Sequence, residues 1–219
     1  MADHTDDHIF DEIEDDLRAE RYAKLWKAYG KYIIAAMVIL VVAVAGYQGW
    51  RAYDRNIRAA QSDRFADALY LLADKKPAEA QKAFAALAKD AGSGYRFLAK
   101  LRQAATMAEN GDKAGAQKIY ADTAADTGID KTYRDLALLL SVLNGLDTGE
   151  PAALRARLSP LMADDNPWRY SAKETAALLD IRAGKRKEAY ALLDALAKDA
   201  AAPPGIRQRA AELSAAVKP

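Results

Sequence analysis

The sequence predicts an all-α chain: one N-terminal transmembrane helix followed by an α-solenoid of about four helix hairpins. Three observations lead there. Residues 32–50 form an uncharged apolar run. Beyond it, alanines recur at intervals of 36, 37 and 36 residues. Alanine and leucine dominate, while valine and isoleucine gather mainly in the early run, a bias that favours helices over strands.

The chain opens with an acidic tail. Residues 1–16 hold eight acids, two histidines and no lysine or arginine. Phe10, Ile13, Leu17 and then Leu25 recur at helical spacing, which predicts an amphipathic helix leading into the apolar run. Residues 1–30 therefore read as a solvated tail with a juxtamembrane helix, or as a docking helix for a cytosolic partner. His4 and His8 lie four apart, a chelating spacing on a helix. A chain end offers no ordered shell to hold an ion, so no metal is expected.

The run YIIAAMVILVVAVAGYQGW, residues 32–50, contains Gln48 as its one strongly polar side chain. As a helix it is roughly 28 Å long, close to the hydrocarbon thickness of a bilayer. Trp26, Tyr29 and Tyr32 precede it, and Tyr47, Trp50 and Tyr53 close it, the arrangement of interfacial aromatic belts. Lys27, Lys31 and Arg51 are placed to extend towards head groups. A buried core helix is seldom apolar all round. A cleaved signal peptide does not fit 31 preceding residues, an acidic start and the lack of a small-x-small site. Residues 31–52 are therefore expected to be an uncleaved membrane-crossing helix. Five basic residues lie shortly before it and four shortly after. That balance does not fix the topology by itself, and it leans towards a cytoplasmic N-terminus.

Residues 53–219 repeat. The stretch KKPAEAQKAF places Ala80 four residues before Phe84, and GDKAGAQKIY places Ala116 before Tyr120. GKRKEAYALL places Ala189 before Leu193, and GEPAALRARL places Ala153 before Leu158, one residue late. A second series pairs a large apolar residue with arginine, then alanine three after the arginine. It reads Tyr95-Arg96 with Ala99, Tyr133-Arg134 with Ala137, Trp168-Arg169 with Ala172, and Ile206-Arg207 with Ala210. Two helices per unit follow, each of 13–16 residues by rough count. Pro77 and Pro151 are expected to start second helices, and Pro167 and Pro203 to precede first ones. Gly111, Gly145 and Gly184 are expected to end first helices in a left-handed cap. Pro160 should end or kink the second helix of the third unit. The small alanines let antiparallel helices approach, and no single hairpin buries its apolar face alone.

A period of roughly 34–37 residues with a glycine turn, then alanine and an aromatic four later, resembles a degenerate tetratricopeptide repeat. The first helices depart from the full pattern of that family. The whole layout, with Gly49-Trp50-Arg51-Ala52-Tyr53 after the apolar run, resembles the YfgM-type ancillary subunits of the Sec translocon. That resemblance implies an inner-membrane protein with a cytoplasmic tail and periplasmic repeats. It also implies two partners, the Sec channel and a PpiD-type periplasmic chaperone. Other clients fit the same scaffold: an assembly factor for another envelope complex, such as cytochrome c maturation, or a stress regulator acting through the acidic tail.

Enzymatic chemistry is not expected. No histidine follows residue 8 and cysteine is absent, which removes Ser-His and Cys-His arrangements and thiolate metal sites. There is no Walker or dinucleotide motif, and no cofactor is implied. Asp164-Asp165-Asn166 lacks calcium-loop spacing and reads as a helix cap. A net charge of +1 without a basic cluster argues against nucleic acid. Partners are expected to be membrane lipid and protein. The candidate protein-binding residues are Tyr95, Arg96, Tyr133, Arg134, Trp168 and Arg169, near the starts of first helices. There arginines can meet carboxylates or backbone carbonyls of an extended peptide. The alternative is that the aromatics are core between repeats and the arginines pair locally.

Overall fold

A computed structural model describes residues 5–218 of the chain, with side chains from residue 21 onward. The His4–His8 pair and the tail's apolar stripe up to Leu17 lie outside the described side chains. Among the described residues the structure is entirely helical. The elements are α1 (Thr5–Ala73), α2 (Pro77–Asp90), α3 (Ser93–Glu109), α4 (Lys113–Ala125) and α5 (Lys131–Asn144). They continue with α6 (Pro151–Leu158), a 3-10 turn (Ser159–Met162), α7 (Arg169–Arg182), α8 (Arg186–Lys198) and α9 (Pro204–Val217). Two compact units result, Met1–Ala59 and Ala60–Pro219.

In the first unit, nearly every described side chain is exposed. The exceptions are Gly30, whose missing Cβ would sit 3.1 Å from the Trp26 ring, and the half-buried Asp54. The helix is long and apolar enough to cross a membrane, yet only 6% of its most apolar window is buried. The described residues provide no cover for this segment, as they would for the core helix of a soluble domain.

The second unit is a series of antiparallel hairpins in which each helix packs on its neighbours in sequence. The alanines of the second series, Ala99, Ala137, Ala172 and Ala210, are fully buried, as close helix approach requires. The first series holds in three units: Ala80 with Phe84, Ala116 with Tyr120, and Ala189 with Leu193 are buried pairs. The third unit corrects the expectation. Ala153 is exposed, and the buried pair is Leu154 with Leu158, which restores the four-residue spacing one position later. The longer turn between α5 and α6 accommodates this offset.

The first helix of three units ends in the same way. Lys76, Asp112 and Lys185 donate backbone N–H to the carbonyls of Leu71, Met107 and Asp180, at 2.8, 2.9 and 2.8 Å. The residue before each donor is left-handed: Lys75 (φ 58), Gly111 (φ 90) and Gly184 (φ 74). Glycine reaches that region without a Cβ penalty and lysine does not. The third unit differs from expectation again. Gly145 caps α5 at φ −94, donating to Ser141 and Val142. Its lack of a side chain instead leaves room for the Gln117 amide. Pro160 acts as the sequence suggests: α6 stops after Leu158 and the chain tightens into the 3-10 turn.

Four apolar clusters form the core among the described residues. The first joins Ala68, Phe84, Leu87 and Ala99, and the second joins Ala104, Ala116 and Tyr120. The third joins Leu139, Val142, Leu154, Leu158 and Leu179, and the fourth joins Ala177, Leu193, Leu196 and Ile206. Helices α3 and α7 each supply buried residues to two clusters, and α5 does so with the half-buried Leu140.

Candidate functional site: a repeat surface and an aromatic-flanked apolar helix

The residues singled out in the second unit sit in the first turns of α3 and α5 and at the start of α7. Gly92 precedes α3 without a side-chain cap. Tyr95 is half-buried, its ring 6.0 Å from Phe65, which in turn lies 5.4 Å from Phe84. Tyr95 thus packs against the first core cluster. Arg96 donates to the Ala91 carbonyl at 3.5 Å and stands 3.9 Å from Asp126. Asp126 also accepts Lys100 Nζ at 2.9 Å and the Gly128 N–H at 3.1 Å. The Lys100 hydrogen bond holds its carboxyl below the usual carboxylate range. The Gly128 N–H and the Lys100 and Arg96 charges add to that, and burial opposes it.

Helix α5 starts at a cap in which Asp130 accepts the Thr132 N–H. Tyr133 is 49% exposed, and its ring lies 4.8 Å from that of buried Phe97. Arg134 is half-buried, and its Nε is enclosed without a hydrogen-bond acceptor. A buried N–H in that state carries an unrelieved desolvation cost.

Trp168 caps α7. Its backbone N–H donates to Asn166 Oδ1 at 2.9 Å, and its indole Nε1 donates to the Thr132 carbonyl at 2.9 Å. Asn166, the last member of the Asp164-Asp165-Asn166 run, stands two residues before the N-cap, so the expected side-chain cap of α7 is not formed; its Nδ2 donates to Asp135 at 2.8 Å. The Arg169 guanidinium lies 4.3 Å over the Tyr170 ring. It donates to Tyr170 Oη at 3.0 Å and to the Asn166 carbonyl at 3.3 Å. The structure therefore links these positions edge to edge: α3 touches α5 through Phe97 and Tyr133, and α7 touches α5 through Trp168 and Thr132. The arginines differ among themselves. Arg96 and Arg169 have local partners, and Arg134 has none among the described residues.

Sequence reasoning did not find Phe97, Asp126 or the partners of Asn166. Asp126 offers a faint signal, since Asp-Thr-Gly before a helix is turn chemistry. Its cation partners, Lys100 and Arg96, lie on the preceding helix α3 and follow only from packing.

In the first unit, Trp26, Tyr29, Tyr32, Tyr47, Trp50 and Tyr53 are all more than half exposed and stand on either side of the apolar run. Lys31 lies 5.0 Å over the Tyr32 ring, and Arg51 lies 5.6 Å over Tyr47. No cluster of three metal-ligating side chains occurs among the described residues.

A family model described as a tetratricopeptide repeat-like domain matches residues 23–148, more than half of the chain. The chain belongs to the tetratricopeptide repeat-like domain family. No curated protein and no solved structure matches it. The tetratricopeptide repeat-like match begins at Ala23, ahead of the apolar run, and ends beyond α5. It therefore takes in the apolar helix together with the first hairpins. Domains of this tetratricopeptide repeat-like kind offer stacked helical surfaces to protein partners.

Proposed function

We propose that this protein is a membrane-held interaction scaffold. Residues 1–30 form a cytoplasmic tail, residues 31–52 cross the inner membrane, and residues 53–219 present repeats in the periplasm. The observation that carries this reading is the uncovered apolar run of 32–50 on the same helix, α1, that contributes Ala68 to the repeat core. A covered helix would need no bilayer, whereas this one exposes Val38 through Val42 on every side. Inclusion of the run in the family match supports treating it as a constituent of the domain.

The layout resembles YfgM-type subunits, and on that basis the partners are the Sec channel and a PpiD-type chaperone. The role is to receive or hand on polypeptides emerging from the channel. Fixing the repeats beside the bilayer raises their effective concentration near such partners. The peptide-facing residues are drawn from Tyr95, Arg96, Tyr133, Arg134, Trp168 and Arg169. Tyr133 and Arg134 stand foremost, the first 49% exposed and the second partly exposed with no carboxylate partner among the described residues.

The full-length chain, isolated in mild detergent, should bring Sec components with it. Y133A/R134A should weaken chaperone or client recovery while leaving the protein in the membrane fraction. Because the chain lacks cysteine, S93C offers a single label at an exposed site. An impermeant thiol reagent should reach it in intact spheroplasts. Protection there, or consistent absence of Sec components, would overturn the translocon role.

A further inference from the structure

We propose that the α1 stripe Tyr47, Trp50, Arg51, Arg55 and Arg58 binds the headgroup of an anionic phospholipid. The proposal rests on the membrane-crossing reading and adds a lipid class and a side of the bilayer to it. Residues 47, 50, 51, 54, 55 and 58 recur at three and four, so they share one helix face. They line a shallow hollow of ≈ 310 Å³. Three guanidinium groups face it and Asp54 is the one acid, leaving a surplus of two positive charges. The neighbouring positions Gly49, Ala52, Tyr53, Asn56 and Ile57 carry no charge.

The pairing within the stripe is graded. Arg58 holds Asp54 at 2.7 Å. Arg51 lies over the Tyr47 ring, and neither Arg51 nor Arg55 has a carboxylate partner among the described residues. Helical rise places Arg51 at the edge of the apolar run and Arg55 about 6 Å further out, within the headgroup layer. Arg58 lies about 10 Å beyond that edge, where water begins. The two unneutralised guanidiniums thus stand at phosphate depth. Their planar donor forks match phosphate oxygens two at a time. Tyr47 and Trp50 hold the acyl-glycerol boundary below them. A zwitterionic headgroup brings its own cation and gains less from the surplus charge, so the anionic class is favoured.

Trp50 lines the hollow and reports on it. The full chain with W26F and W168F keeps Trp50 as its one indole, and far-UV circular dichroism checks that the repeats still fold. It is placed in phosphatidylcholine vesicles containing a minor share of brominated phosphatidylglycerol or, separately, of brominated phosphatidylcholine. Quenching by the brominated phosphatidylglycerol should correspond to a local enrichment of about fivefold. R51Q/R55Q/R58Q should remove that excess while quenching by brominated phosphatidylcholine stays the same. Equal quenching by the two lipids in the unsubstituted stripe overturns the headgroup site and leaves the membrane reading standing. Quenching by neither lipid overturns both. If W168F prevents folding, the lipids retained by the wild-type chain and by R51Q/R55Q/R58Q are compared by native mass spectrometry. Equal retention of phosphatidylglycerol by the two overturns the site.

Discussion

Arg155 of α6 donates through Nε to Asp180 Oδ2 on α7 at 2.9 Å and stands 2.8 Å from Oδ1, and the carboxylate is 3% exposed. The arginine is 39% exposed. Its charge can reach water without its partner, and the carboxylate cannot. Removing the arginine should therefore cost more than neutralising the acid. R155A is expected to lose about 3 kcal/mol, because it strands a buried charge. D180N should lose about 1 kcal/mol, because it keeps the shape and frees a solvated arginine. Thermal melts of the full chain in mild detergent, followed by circular dichroism, rank the two. The reverse order would mean that Asp180 is better hydrated than its burial indicates.

Lys75 adopts the left-handed cap that Gly111 and Gly184 adopt in the second and fourth units. K75G should relieve the Cβ strain and stabilise the first hairpin by about 0.5 kcal/mol, after the entropy gained by the unfolded chain is set against it. G184A should cost about 1 kcal/mol for the same reason in reverse. G145A should cost less than G184A, since Gly145 is not left-handed and the group in the way is the movable end of Gln117. Chemical denaturation of the three variants checks the order.

The register of the third unit has its own test. Ala137 is fully buried and Ala153 is exposed. A137L should overpack the contact between α5 and its neighbours and cost about 2 kcal/mol. A153L should stay within about 0.5 kcal/mol of the parent, because solvent accommodates the larger side chain. Equal losses would restore Ala153 to the buried position suggested by its place in the series.

Asp126 gives the acid limb of stability a definite sign. Its carboxyl is held low, first by the Lys100 hydrogen bond. The folded state therefore prefers the ionised form. The resulting stabilisation is present above the unfolded carboxylate value of about 3.9 and is lost as pH falls through the lower folded value. D126N should lower the melting temperature at neutral pH, with a loss of about 1 kcal/mol. It should also flatten the decline below about pH 4. Melts at neutral and acidic pH with both proteins test this, and an unchanged acid limb would remove Asp126 from the account.

The repeat fold was legible in the sequence because its markers are local. Alanine with a large residue four later, proline at a helix start and glycine at a helix end all lie within a few residues of each other. The third unit misled for a local reason too: Ala153 and Leu154 are adjacent and both apolar, so spacing alone cannot choose between them. Lys75 escaped notice because it occupies a glycine position without being glycine. The candidate surface was less legible. Tyr95-Arg96, Tyr133-Arg134 and Trp168-Arg169 look equivalent as text, yet their partners Asp126, Phe97 and Asn166 differ from unit to unit. Those partners come from neighbouring turns and helices and are fixed only once the hairpins pack. The unsatisfied Nε of Arg134 is a property of that packing and leaves no trace in the order of residues.

Because α3, α5 and α7 each face two clusters while α2, α4 and α8 face mainly one, loosening is unevenly distributed along the array. A second helix can detach at the expense of a single interior, whereas α3, α5 and α7 are gripped from both sides. Amide exchange should therefore be slowest in α3, α5 and α7 and faster in the helices between them. Whatever engages these repeats meets a stiff set of rungs joined by softer returns, and can displace a return without dismantling the ladder.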